Sequence, residues 1–187
     1  MHYLSINVSS PNTKGMRDLQ SEQFLSALLR TLRQRRDALR DQHGRNVALA
    51  LKISPDSDDA GLRSIADVAR RERMDGIVAT NTTVSRDGLE GLPHAGEEGG
   101  LSGAPLRAKS TQTVRKLAAE LKGEVPIIGV GGVMSGADAA EKFAAGASLI
   151  QIYSGLVYRG PELIAECVAA CQNTRIGAHT ALPESNR

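Results

Sequence analysis

Five short apolar runs, each followed by a segment of helical spacing, limit what this chain can fold into. The runs are Leu4–Val8, Val47–Ile53, Gly76–Thr80, Pro126–Val130 and Ser148–Ile152. Each is close to continuous in apolar character. A strand covered on one face alternates apolar with polar residues. One covered on both faces does not, and such strands belong to parallel sheets flanked by helices. Between the runs, Phe24, Leu25, Leu28, Leu29 and Leu32 predict a helix capped by Ser21, and Leu62, Ile65, Ala66 and Ala69 predict one over 58–73. Pro105 stands in the first turn of a third, where its missing N–H is harmless, and Leu106, Val114, Leu117 and Leu121 form its stripe. Ser135 caps a short helix through Phe143, and Pro161 starts a last one through about Cys171. Right-handed crossovers leave two architectures for this order, a doubly wound sheet or part of a (β/α)8 barrel.

The polar residues choose between them. Ser10 and Asn12, Lys52, Thr80 and Asn81, Gly131 and Gly132, and Tyr153 and Ser154 all stand at or just after the C-terminal end of a run. Barrel enzymes carry their chemistry at that end of every strand. The expected fold class is therefore α/β of the (β/α)8 TIM-barrel type, with only about the last five βα units present. Residues 1–173 form the barrel portion, and 174–187 a polar tail expected to be mobile.

Bulk properties exclude several function classes. The 187 residues suffice for one core. Aromatic residues make up 3% with no Trp, which disfavours base stacking on single strands, and a net charge of +2 does not suggest a polyanionic partner. We expect no nucleic-acid binding. No apolar run reaches the roughly 20 residues of a membrane helix, and Met1-His2-Tyr3-Leu4 opens on a strand without signal-peptide layout. A cytoplasmic location is the expectation. Cys167 and Cys171 read as reduced thiols near a core face, and His2, His43, His94 and His179 have no ligand spacing, so no metal is expected. The basic run Arg33–Arg36 with Arg40 suits a solvated helix face near its C-terminus.

Three clusters carry chemistry. Asn7-Val8-Ser9-Ser10-Pro11-Asn12-Thr13 packs amides and hydroxyls into one turn, either an Asx/Ser turn with a corner proline or a holder for a small polar substrate. Thr80-Asn81-Thr82-Thr83 is a second such cluster, and amides that donate and accept together suit a ring bearing ureide and carboxylate groups. Gly129-Val130-Gly131-Gly132-Val133 and Tyr153-Ser154-Gly155 follow the last two runs, where barrels cradle phosphate on freed backbone N–H groups. Lys52, at the end of its run, is either a solvated cap or a cation that stabilises developing negative charge.

Together with Lys52-Ile53, Ala79-Thr80-Asn81-Thr82-Thr83, Gly99-Gly100-Leu101-Ser102-Gly103-Ala104-Pro105-Leu106, Ile127-Ile128-Gly129-Val130-Gly131-Gly132 and Gln151-Ile152-Tyr153-Ser154, the first cluster resembles the class 2 dihydroorotate dehydrogenases. The resemblance covers nearly everything before the tail. It implies an FMN-dependent barrel that oxidises (S)-dihydroorotate to orotate in pyrimidine biosynthesis, with a quinone as acceptor. It implies that Ser10 is the catalytic base at C5 while hydride passes from C6 to flavin N5. Class 1 relatives carry cysteine there. Asn7, Asn12, Asn81 and Thr82 would bind substrate. Asn7, Lys52, Thr80, Gly103, Gly132, Tyr153 and Ser154 would hold FMN, with Gly131 added from the phosphate reading. No His, Asp or Glu flanks Ser10, so whatever activates this weak base must come from the fold. Lys14 stands where the family usually has Pro, a loop change expected to be minor.

In the family an N-terminal half precedes the strand bearing Asn7. It supplies the first strands, further FMN contacts and a helical segment that meets quinone and the inner face of the cell membrane. Peripheral membrane contact is expected only through that segment. Five βα units leave two open sheet edges, so the chain by itself is expected to bind FMN weakly or not at all and to lack turnover. Two other readings stay open: a non-catalytic half-barrel that binds a phosphate ligand, and another FMN-dependent barrel oxidoreductase.

Overall fold

The computed structural model describes residues 2–179. Five parallel strands, β1 (Tyr3–Asn7), β2 (Ala48–Ile53), β3 (Gly76–Ala79), β4 (Ile127–Val130) and β5 (Leu149–Gln151), pair in sequence order. Helices α1 (Glu22–His43), α2 (Asp59–Arg71), α3 (Arg107–Leu121) and α4 (Gly136–Ala144) make the crossovers, and α5 (Ser154–Arg159) and α6 (Glu162–His179) follow β5. Sequential pairing of parallel strands joined by helices is the layout of a barrel wall, and it agrees with the expected fold class.

The period-2 geometry of the strands divides their side chains between two layers. Leu49, Leu51, Ile53, Ile77, Ala79 and Ile127 join Leu25 and Leu29 of α1, Leu62 and Ile65 of α2, and Val114, Leu117 and Leu121 of α3 in the main core. Ala50, Val78, Ile128 and Val130 form a smaller cluster on the opposite face. Both faces of the central strands are thus apolar, which is why their sequences do not alternate. A third cluster, Val133, Ala139, Leu163 and Cys167, joins α4 to α6.

Helix starts follow the chemistry of the preceding residue. Asp58 accepts from Gly61 N at 2.8 Å, and Ser135 accepts from Asp138 N at 3.2 Å. Ser21 occupies the cap position of α1 without a side-chain cap bond. Gly44, at φ 65°, closes that helix.

Several expectations need correction. The first strand is not buried: Tyr3 and Leu4 are 39% and 45% exposed, because among the described residues β1 pairs with β2 alone and forms a sheet edge. Phe24 is 61% exposed at the start of α1, and Leu25 and Leu29 do the packing. The short helix α5 has no counterpart among the helices expected from sequence. The last helix runs on to His179, past Cys171 and into the segment expected as tail; 180–187 lie outside the described residues. Cys167 is buried and Cys171 half-buried, both free.

Candidate active site

Parallel register brings the strand ends to one rim. Asn7, last in β1, stands beside Lys52 of β2, and Ala79, last in β3, stands beside Ile53 of β2 and Gly129 of β4. A cavity of about 220 Å³ opens there, lined by Lys52, Thr80, Asn81, Thr82, Gly103, Gly131, Gly132, Tyr153 and Ser154. All of these are singled out by the sequence, and they come from the end of β2 and the loops after β3, β4 and β5. Ser102, Leu106, Val130, Val133, Gln151, Ile152 and Gly155 also line it, though the sequence assigns them no individual role. The signal for Gln151 and Ile152 is their place at the end of β5.

Asn7, Ser10 and Asn12 do not line this cavity but belong to the wall beside it. Asn81 Nδ2 donates to Asn7 Oδ1 and to Ser9 Oγ, each at 3.1 Å. Ser9 is fully buried, and its hydroxyl donates to Lys52 O at 2.8 Å. Asn7 Oδ1 also receives Ser9 N at 3.2 Å. Asn81 Oδ1 accepts from Thr82 N at 2.8 Å. One polar net therefore ties the ends of β1, β2 and β3. Its centre is Ser9, for which the sequence offers no signal beyond its neighbour Ser10. Asn12 Oδ1 accepts from Gly100 N at 2.9 Å and links the first turn to the long loop after β3. Ser10, half-buried, accepts from Asn12 N at 3.3 Å, and no ionisable side chain among the described residues hydrogen-bonds to its hydroxyl.

The glycines after β4 have a physical reason. Gly131 and Gly132 sit at φ 115° and 73°, where side chains are strained. A Cβ on Gly131 would meet Ser110 Oγ at 2.9 Å, and one on Gly132 would run into the backbone of Arg107. The loop thus lies directly on the start of α3, pinned by Ser110 Oγ donating to Val130 O at 2.6 Å. Arg107 pairs with Asp138 at 2.6 Å, and Asp138 accepts from Met134 N at 3.0 Å, which fixes the far side of the same loop. Across the cavity, Ser154 and Ser102 share a hydroxyl hydrogen bond of 2.9 Å.

Lys52 is the cation of the site. It is half-buried, and burial lowers its pKa from the ordinary lysine value. Among the described residues its ammonium has no hydrogen-bond partner, whereas the fully buried Lys142 donates to Thr111 Oγ1 at 2.8 Å. A lysine lining a cavity without a protein acceptor is ready for an electron-rich or anionic ligand. With a glycine loop free of side chains on one wall and hydroxyls on another, these residues fit a phosphate-bearing cofactor. No cluster of three or more His, Cys, Asp or Glu side chains suited to a metal occurs among the described residues, and no helix among them is long and apolar enough to cross a membrane.

Comparison with known proteins places these features in context. A family model described as dihydroorotate dehydrogenase matches residues 1–173. The dihydroorotate dehydrogenase (quinone) of Thiobacillus denitrificans is 55% identical over 166 residues, which cover 89% of this chain and 49% of that protein. The protein of the same name from Chromobacterium violaceum is 57% identical over 168 residues, covering 90% and 49%. A crystal structure of DHODH from Eimeria tenella in complex with ferulenol superposes with a TM-score of 0.87 at 35% identity, covering 95% of this chain and 51% of that one. The chain spans about half the length of the curated relatives it matches.

Proposed function

The chain belongs to the dihydroorotate dehydrogenase family, and from that premise we propose that it forms the catalytic wall of an enzyme oxidising (S)-dihydroorotate to orotate, with FMN as cofactor and a quinone as final acceptor, in pyrimidine biosynthesis. The observation that carries the reading is that Lys52, Thr80, Asn81 and the Gly131–Gly132 loop line one cavity at the strand ends, beside the Asn7–Ser9–Asn81 net.

FMN, when bound, supplies a two-electron acceptor for hydride. The chain's own residues do the rest. Gly131 and Gly132, through backbone N–H groups, and Ser154, through its hydroxyl, would hold the FMN phosphate. Gly103, Tyr153 and Thr80 shape the remaining cavity wall. Lys52 places its ammonium where negative charge develops, and partial desolvation strengthens that interaction. Asn7, Asn12, Asn81 and Thr82 orient the substrate ring through amide and hydroxyl groups. Ser10 Oγ takes the C5 proton while its own hydroxyl proton passes to solvent water, which the half-buried side chain reaches. The reaction then balances: C5 gives up a proton, C6 gives up a hydride, and a C5–C6 double bond forms. Membrane contact, in this reading, is peripheral, on the inner face of the cell membrane, and made only through the family's N-terminal segment, which this chain does not contain.

Joining this chain to the N-terminal half of the Chromobacterium violaceum relative tests the proposal. The fusion is expected to reduce a quinone analogue with dihydroorotate, and Ser10→Ala is expected to abolish turnover while bound flavin remains. A fusion that holds flavin and turns over equally well after the Ser10→Ala change contradicts it.

A further inference from the structure

The segment carrying Ser10 and the segment carrying Asn81 are both fastened to the short turn Ser54-Pro55-Asp56, just beyond the strand that carries Lys52. The 3-10 turn Met16–Gln20, which follows Ser10, contributes no buried residue to the core. Its position therefore depends on polar ties. Two of them end on the same turn: Arg17 Nη2 to Asp56 Oδ2 at 3.0 Å, and Ser54 N to Gln20 Oε1 at 3.2 Å. From the other side, Val84 N donates to Asp56 Oδ2 at 3.0 Å, and the Thr83 hydroxyl donates to Asp56 Oδ1. Lys109 of α3 completes the set, with Nζ 2.7 Å from Asp56 Oδ1 and 3.3 Å from Thr83 Oγ1. The Asp56 side chain is 14% exposed.

We infer that Asp56 is a positioning residue, a clamp that holds the Ser10 segment and the Asn81–Thr83 segment in one fixed relation. The inference rests on the proposed function only for its purpose: the base and the substrate amides must stay in register to act on adjacent carbons, and misplacement by about 1 Å costs orders of magnitude in rate. Its physical content is independent of that. One carboxylate accepts from Arg17, Thr83, Val84 N and Lys109, so removing its charge loosens both segments together, although the Gln20–Ser54 and Asn12–Gly100 bonds remain. A neutral amide in place of the carboxylate would keep an acceptor for part of the set but lose both ion pairs.

Titration gives the sign. The charged groups facing Asp56 are Arg17 from the 3-10 turn and Lys109 from α3, both cationic. Burial alone would raise the Asp56 carboxyl, but hydrogen bonds from Lys109, Thr83 and Val84, with the charge of Lys109, hold it below the ordinary carboxylate value. A depressed folded-state pKa means that the clamp is intact above the ordinary value and is lost as pH falls through the lowered one.

Amide hydrogen exchange on the full 187-residue chain tests this without substrate or flavin, so its failure is separate from any failure of Ser10 chemistry. In D56N, exchange is expected to quicken at least tenfold in both 12–20 and 83–101, with the amides of β2 and β3 unchanged. In the parent chain, protection in both segments is expected to fall together on acidification, and in D56N that pH dependence is expected to be absent. R17M is expected to quicken 12–20 with little effect on 83–101. If D56N quickens one segment alone or neither, or if the parent segments lose protection at different pH, the clamp is overturned. Should D56N fail to fold, R17M and K109M decide: quickening of 12–20 by R17M and of 83–101 by K109M supports the clamp, and no change in either refutes it.

Discussion

The Nδ2 of Asn81 lies 3.1 Å from the Oδ1 of Asn7, so two amides 74 residues apart in sequence meet at the ends of non-adjacent strands. Ser9, held by the same Asn81 amide and donating to Lys52 O, makes the link continuous across β1, β2 and β3. Asn81→Ala removes the shared donor. It should cost about 1–3 kcal/mol, since a net hydrogen bond is worth about 1 kcal/mol and the side chain gives up its bonds to Asn7, to Ser9 and from Thr82 N. Urea unfolding of the two chains measures it, and a change below about 0.3 kcal/mol would show the net to be ornamental.

Gly132→Ala and Gly123→Ala separate strain from collision. Both glycines have positive φ, 73° and 85°, but a Cβ on Gly123 meets nothing within 4 Å whereas one on Gly132 strikes Arg107. Gly123→Ala should cost only the left-handed penalty, about 1–2 kcal/mol. The Gly132 change should cost at least twice that. Equal melting temperatures for the two variants would refute the close approach of the loop to α3.

Lys142 is fully buried on α4, and burial pushes its pKa from 10.5 down to about 8. The fold therefore disfavours its charged form. Between pH 8 and 10.5 the unfolded chain binds more protons than the folded one, so stability should rise with pH across that window. Below it the penalty is on the order of 3 kcal/mol or less. Lys142→Met should raise stability at pH 7 by about 1–2 kcal/mol and flatten the rise. Denaturant midpoints at several pH values, between 7 and 10.5, report both effects, and a destabilised Met variant at pH 7 would count against the burial penalty.

The two sheet edges set another expectation. Tyr3 and Leu4 on β1, and Leu149 on β5 at 56% exposure, leave apolar side chains beside strands that lack a second neighbour among the described residues. Such edges favour association. The 187-residue chain alone should bind FMN with far lower affinity than the fusion to the N-terminal half of a relative, and should sediment as oligomers. A monodisperse yellow monomer with stoichiometric flavin would overturn this.

The architecture was legible because short apolar runs, too brief for helices, alternate regularly with longer segments of helical spacing, as parallel strands buried on both faces do. The rim was legible for a related reason: polar residues at strand ends have no place in the core. Other features leave no such trace. The burial of β1 depends on a neighbouring strand, which its own residues cannot reveal. In α5, Leu156, Val157 and Tyr158 are exposed, so no buried stripe announces the helix. Lys142 looks like a surface lysine until Gly129 of β4, where a Cβ would meet the lysine's Cδ at 3.1 Å, leaves room for its stem. Asp56 and Ser9 owe their roles to partners far along the chain, and no local pattern marks either one.

The central claim is that one flavin occupies the cavity between Lys52 and the Gly131–Gly132 loop. A crystal structure of the fusion protein with FMN tests it most directly. The account predicts the phosphate against Gly132 and Ser154 and the ring edge within hydrogen-bond distance of the Lys52 ammonium. A flavin bound elsewhere, or one that leaves Lys52 without contact, would contradict it.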